Sequence, residues 1–245
     1  MIRRLTIDWP DPKAFEGRDG RPIRLLAVSD DVDPAMEFEV NREAIGPLDA
    51  IVGAGDLEPD YLSFLADAFG VPLVFVRGNH DRGGRWSESS VGAPEALPTG
   101  HLRDLVGLTI AALEWPGLRR REAQRNDALA WADALRLAAA MTVRRLTGRG
   151  RPALVLSHAP PRGLGDAAAD RYHVGFGAYR WLLERWRPPL WIHGHTPPAS
   201  VQDWRISHDR TVLANVTGVV VVELTCSERR PGDRRPLGRG EREAA

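Results

Sequence analysis

The chain is punctuated by eight short apolar runs, and most of them stop abruptly on carboxylate, amide or imidazole side chains. The runs are IRLLAVS (Ile23 to Ser29), DAIVGAG (Asp49 to Gly55), VPLVFV (Val71 to Val76), GLTIAAL (Gly107 to Leu113), PALVLS (Pro152 to Ser157), LWIHG (Leu190 to Gly194), TVLAN (Thr211 to Asn215) and GVVVVEL (Gly218 to Leu224). Several are continuously hydrophobic rather than alternating, which predicts strands covered on both faces. Helical patterns lie between them. Pro34 to Ile45 and Pro59 to Phe69 open on proline, which suits the first helical turn. Arg119 to Leu146 is rich in Ala, Leu and Arg at helical spacing, and Gly175 to Trp186 reads as a shorter helix. Strands alternating with helices predict a layered α/β domain with much parallel sheet. The last two runs, joined by a Val-Thr link, read as an antiparallel pair.

With 245 residues, 43% of them hydrophobic, the chain can bury one large α/β core. Residues 1–226 are expected to form a single domain. Residues 227–245, SERRPGDRRPLGRGEREAA, have almost no apolar content and read as a disordered, Arg-rich tail. No apolar run approaches the roughly 20 residues of a membrane span. The N-terminus MIRRLTIDWPDP is charged and broken by Pro10 and Pro12, unlike a secretory signal. A single cysteine, Cys226, excludes an intramolecular disulfide and fits a cytoplasmic location. The formal net charge is zero, so no global field points to nucleic acid or a membrane. Lys13 is the only lysine, which leaves nearly all positive charge on arginine, a residue suited to phosphate. A composition rich in Arg, Ala, Gly and Pro accounts equally well for that.

The chemistry gathers where the apolar runs stop. IRLLAV is followed by SDDVD with Asp30, DAIVGA by GD with Asp56, and VPLVFV by RGNHD with Asn79, His80 and Asp81. PALVL is followed by SHAPP with His158, and PLWI by HGHTPP with His193 and His195. In a mainly parallel sheet such ends converge on one edge, where sites of these folds lie. A lone Asp after a strand is more often a turn or a helix cap, and a lone buried His a hydrogen-bonded core residue. Five equivalent strand ends bearing Asp, Asp, Asn, His and His are another matter. Carboxylate, amide oxygen and imidazole are the donors that hold Mn, Fe or Zn. The pattern predicts a metal site.

In order and spacing these motifs resemble the calcineurin-like metallophosphoesterases, whose signature runs Asp-x-His, Gly-Asp, Gly-Asn-His-Asp/Glu, a separate His, then Gly-His-x-His. The match extends from Ser29 to Thr196, and SDDVDP, HAPPRG and YHVGF resemble a bacterial branch of the family. The resemblance implies two mixed β-sheets packed as a sandwich and flanked by helices, a four-layer α/β/β/α fold. It implies a hydrolase of phosphomonoesters or phosphodiesters that uses one or two divalent ions (Mn, Fe or Zn), metal-activated water and a catalytic histidine. Asp56 would bridge two ions; Asn79, His158 and His195 would complete the second position, and Asp30 would belong to the first. His80 would stabilise the transition state or protonate the leaving oxygen, with Asp81 orienting its ring. The partner would be a small-molecule or peptide phosphoester. A nuclease would need a basic groove, which neutral charge and the lack of a basic-aromatic cluster near the motifs do not offer.

Two ligands of the first ion are missing. Val32 stands in place of the histidine of Asp-x-His, and Pro197 in place of the last histidine of Gly-His-x-His. Asp33, Asp31, His193 and His173 are candidates to replace them, although Asp33 is equally placed to cap the helix opening at Pro34. The site would otherwise hold that ion weakly, work with one ion, or belong to a non-catalytic, metal-binding scaffold of the same fold. Arg82 and Arg162 lie close enough in sequence to clamp a phosphate oxygen.

Overall fold

The computed structural model describes residues 2–81, 94–117 and 125–226. Two mixed sheets face each other. The first contains β1 (Arg3–Asp8), β2 (Ile23–Ser29), β3 (Ala50–Gly53), β4 (Leu73–Phe75) and the last strand, β11 (Gly218–Thr225), in the order β1-β11-β2-β3-β4. The second contains β5 (Leu102–Leu105), β6 (Leu108–Leu113), β7 (Ala153–Ser157), β8 (Leu190–His193), β9 (Arg205–His208) and β10 (Thr211–Asn215), in the order β5-β6-β7-β8-β10-β9. Strands β2, β3 and β4 are parallel, as are β6, β7, β8 and β10. The antiparallel neighbours of these two sets are β11, β5 and β9.

The unbroken apolar runs follow from this layering, because both faces of the central strands are covered. In β2, Leu25 and Ala27 enter the core between the sheets, while Leu26 and Val28 meet α1 (Glu39–Ile45) and α2 (Pro59–Phe69). In β7, Leu154 and Leu156 point inward, and Ala153 and Val155 pack under α3 (Asp127–Leu146) and α4 (Gly177–Trp186). The result is the four-layer α/β/β/α sandwich. Among the described residues no helix is long and apolar enough to cross a membrane.

Several sequence expectations need correction. The helical pattern from Pro34 to Ile45 is two elements. A 3-10 turn, Pro34–Glu37, ends at Phe38, which is extended, and α1 follows. The two closing strands do not pair with each other. β10 lies beside β8 in the second sheet and β11 between β1 and β2 in the first, so Val216 and Thr217 carry the chain from one sheet to the other. Strands β1, β5 and β9 are not evident as apolar runs, since each exposes part of its side chains. Helix α3 starts at Asp127, where the Asn126 side chain accepts from the Leu129 amide. The expected long loop from Asp81 to Gly100, Arg82 and the tail from residue 227 fall wholly or partly outside the described residues.

Candidate metal centre

Asp30, Asp56, Asn79, His158 and His195 all follow the C-terminal ends of parallel strands and meet at one edge of the sandwich. Three of them reach it through sharp turns. Asp30, Asp56 and His195 have φ of 60°, 57° and 66°, three of the seven non-glycine residues with left-handed backbone among those described. Such conformations cost on the order of 1–3 kcal/mol each and persist only where the surroundings impose them. Here each turn folds a side chain back over its strand. The motif glycines allow the close approach that follows. A Cβ on Gly78 would lie 2.2 Å from Asp56 Oδ1 and 2.6 Å from His158 Cε1, and one on Gly194 would lie 2.0 Å from Ser29 Oγ.

The imidazole of His158 is fully buried at the centre. Its Nδ1–H donates to the Ala54 carbonyl at 2.8 Å, which directs Nε2 toward Asn79 Oδ1 at 2.9 Å and Asp56 Oδ2 at 3.3 Å. Asp56, His158 and His195 each present a ligand atom within 4.8 Å of the others, the one such group among the described residues. His195 Nε2 donates to the Tyr172 carbonyl at 2.8 Å, a tautomer that leaves Nδ1 with the free lone pair. Burial would push the His158 imidazole down, but the Asp56 carboxylate, with Asp30 behind it, outweighs this and holds it up at about 9. Burial likewise works to raise Asp56, and the His158 charge and hydrogen bond bring it below the usual carboxylate range. Burial holds His195 neutral, at about 3. The convergence of a carboxylate, an amide oxygen and two imidazoles fits a borderline divalent cation.

Asp30 has a different environment. Its Oδ2 accepts from Ser29 Oγ at 2.6 Å, the His195 amide at 2.9 Å and Thr217 Oγ1 at 3.3 Å. Burial raises its pKa. Of the substitutes expected for the missing ligands, Asp31 and His173 line the same cleft as Asp30, whereas Asp33 and His193 are engaged elsewhere. Asp33 caps the 3-10 turn, with Oδ1 accepting from the Ala35 amide at 2.9 Å. His193 is turned to the helix-covered face of β8, beside Gly165, because side chains alternate along a strand and His195 lies beyond its end. Burial holds His193 neutral, at about 4. Val32 is exposed and offers no donor atom. His173 does line the cleft, its ring centroid 5.1 Å from that of His195, but its Nδ1 meets Asp170 Oδ2 at 2.5 Å.

The exposed His80 also lines the cleft, and its amide donates to Asp56 Oδ1 at 2.8 Å. The Asp81 carboxylate is not hydrogen-bonded to the His80 ring among the described residues. Its Oδ2 instead accepts from the amides of Asp56 and Gly78, at 2.8 and 2.7 Å, bracing the turns after β3 and β4 against each other. Burial raises this carboxyl to about 6.

Sequence reasoning missed several neighbours. Ser29 and Thr217 anchor Asp30, and Trp115 packs on His195 and His158 with centroids 4.8 and 5.9 Å away. Arg125, Arg171 and Tyr172 line the cleft, whereas Arg162 is exposed away from it. The cleft holds about 900 Å³, enough for a small phosphoester.

A family model for the calcineurin-like phosphoesterases matches residues 40–199, about two thirds of the sequence, and the chain belongs to that family. No curated protein matches the sequence. Among solved structures, the TT1561 protein of Thermus thermophilus is 16% identical with a TM-score of 0.55, the match covering 80% of this chain and 90% of that one. The Vacuolar Protein Sorting 29 structure from Cryptosporidium parvum is 11% identical with a TM-score of 0.41, covering 84% and 87%.

Proposed function

We propose that the protein is a metal-dependent phosphoester hydrolase whose own residues hold one divalent ion through Asp56, Asn79, His158 and His195. The supporting observation is that His158 Nε2 lies 2.9 Å from Asn79 Oδ1 and 3.3 Å from Asp56 Oδ2 at the floor of an open cleft. A divalent ion there would polarise a phosphoryl oxygen and make water acidic enough to attack near neutral pH. His80 stands at the same rim with its ring exposed and its backbone tied to Asp56, placed to give a proton to the departing oxygen. Trp115 forms an apolar wall over the two imidazoles and keeps water from their faces. Arg171 adds positive charge to a cleft that must admit an anion; Arg125 lines it too but is paired with Asp127 at 2.8 Å and bonded to the Val174 and Gly175 carbonyls. On this reading Asp81 acts on His80 indirectly, by fixing the turn that carries it.

The test is hydrolysis of bis(p-nitrophenyl) phosphate by full-length protein with added Mn. The expected outcome is metal-dependent turnover that falls by about 10²- to 10⁴-fold in His80→Ala with ion content unchanged. A second reading, a metal-binding scaffold without catalysis, draws on Val32 and Pro197 at positions where donors are expected. An ion-loaded, folded protein inert on both phosphomonoesters and phosphodiesters would favour it.

A further inference from the structure

A second cavity, of about 640 Å³, lies at the opposite end of the second sheet, where β7, β8 and β10 begin rather than end. Its floor is apolar, with Ile7, Leu102, Met141, Val212 and the indole of Trp186. Six arginines surround it: Arg144, Arg145, Arg151, Arg187, Arg205 and Arg210, against the single lining carboxylate Asp8. Overall composition does not explain this local excess, because the whole chain is formally neutral. Arg144 is committed to Asp104 at 2.5 Å, and Arg151 and Arg187 meet Asp11 and Asp209 only at 4.0 Å. Among the described residues Arg145, Arg205 and Arg210 form no ion pair. The floor carries one further unmet need. Trp186 Nε1–H is buried without a hydrogen-bond partner among the described residues, a state that buried indoles seldom adopt.

From these features we infer a second binding site, for a small organic anion with an apolar body and a phosphate or carboxylate group. The volume is that of a ligand site, and the guanidinium rim matches the planar, bidentate recognition of those groups. The chain's own residues 227–245 are a poor occupant, with six arginines against four carboxylate side chains. The cavity shares no lining residue with the metal cleft, so the inference does not depend on the hydrolase reading.

The experiment follows the indole N–H signals of the ¹⁵N-labelled full chain during titration with benzylphosphonate, with Trp186 and Trp115 assigned through Trp186→Phe and Trp115→Phe. Trp186 reports the arginine cavity and Trp115 the metal cleft. The expected result is a saturable movement of the Trp186 signal whose midpoint rises at least tenfold in Arg145→Glu/Arg205→Glu/Arg210→Glu. All three of these side chains are exposed, so the variant keeps its fold, which its remaining indole signals verify. A Trp186 signal that stays still, moves identically in the charge-reversed variant, or responds as strongly to inorganic phosphate would overturn the inference. Movement confined to Trp115 would overturn it as well, placing the anion in the metal cleft.

Discussion

The two sides of the metal cleft are built from the same kind of residue and end in opposite states. On one side Asp56, Asn79, His158 and His195 bring their polar side-chain atoms together, and the backbone of Ala54, His80 and Tyr172 holds His158, Asp56 and His195 in turn. On the other, Asp30 directs an oxygen at three protein donors and ties together the turns after β2, β8 and β10. What separates the two sides is the company each carboxylate keeps: Asp56 stands with His158 and His195, their ligand atoms within 4.8 Å of one another, whereas Asp30 Oδ2 is met by two hydroxyls and an amide.

The comparison is most severely stressed by Gly78→Ala. The added methyl would press on Asp56 Oδ1 and the His158 ring, on the ligand side alone. Ion affinity is expected to fall about 10- to 100-fold, as when groups supporting a metal ligand are disturbed, and calorimetric titration with Zn measures it. An unchanged affinity would mean that the ion sits elsewhere.

Proton linkage sharpens the same contrast. His158 titrates near 9 in the metal-free protein, above its ordinary 6.5. Its charged form thus stabilises the metal-free fold fully below about 6.5, and that contribution is lost as pH rises through about 9. An ion must displace the proton, so affinity should rise about tenfold per pH unit between 7 and 8.5 and level off above about 9. Zn titration at four pH values checks this; a flat profile would remove His158 from the ligand set.

Asp81 provides a smaller effect. Asp81→Ala leaves the buried amides of Asp56 and Gly78 without an acceptor and should cost about 1–3 kcal/mol in urea unfolding. Asp81→Asn retains an acceptor oxygen and should recover most of that loss. If the asparagine variant were as unstable as the alanine one, the carboxylate's charge rather than its hydrogen bonds would be the source of stability.

Much of this arrangement was legible in the sequence, and the parts that were not share a cause. Runs such as VPLVFV and PALVLS announced strands because both of their faces are covered. RRLTID in β1 and RISH in β9 did not, because exposed residues alternate with covered ones. The pairing of β10 with β8 rather than β11 depends on contacts distant in the chain, which a local reading of TVLAN and GVVVVEL cannot supply. The motif residues could be placed because each stands at the end of its own strand. Whether Asp33 caps or ligates is undecidable from spacing, since a carboxylate serves both ends. His193 was readable in principle, as period-two alternation puts it on the face of Trp191, away from the inter-sheet residue Ile192. Ser29, Thr217 and Trp115 carried no signal, because they matter only through the sheets that bring them to Asp30 and the two imidazoles.

The most direct measurement is the number of ions bound per chain, by elemental analysis of full-length protein loaded with Mn or Zn and then desalted, alongside Asp33→Ala and His158→Ala. The account predicts one ion in the wild type, one in Asp33→Ala and none in His158→Ala. Two ions in the wild type, falling to one in Asp33→Ala, would contradict it and make the Asp30 side a ligand site after all.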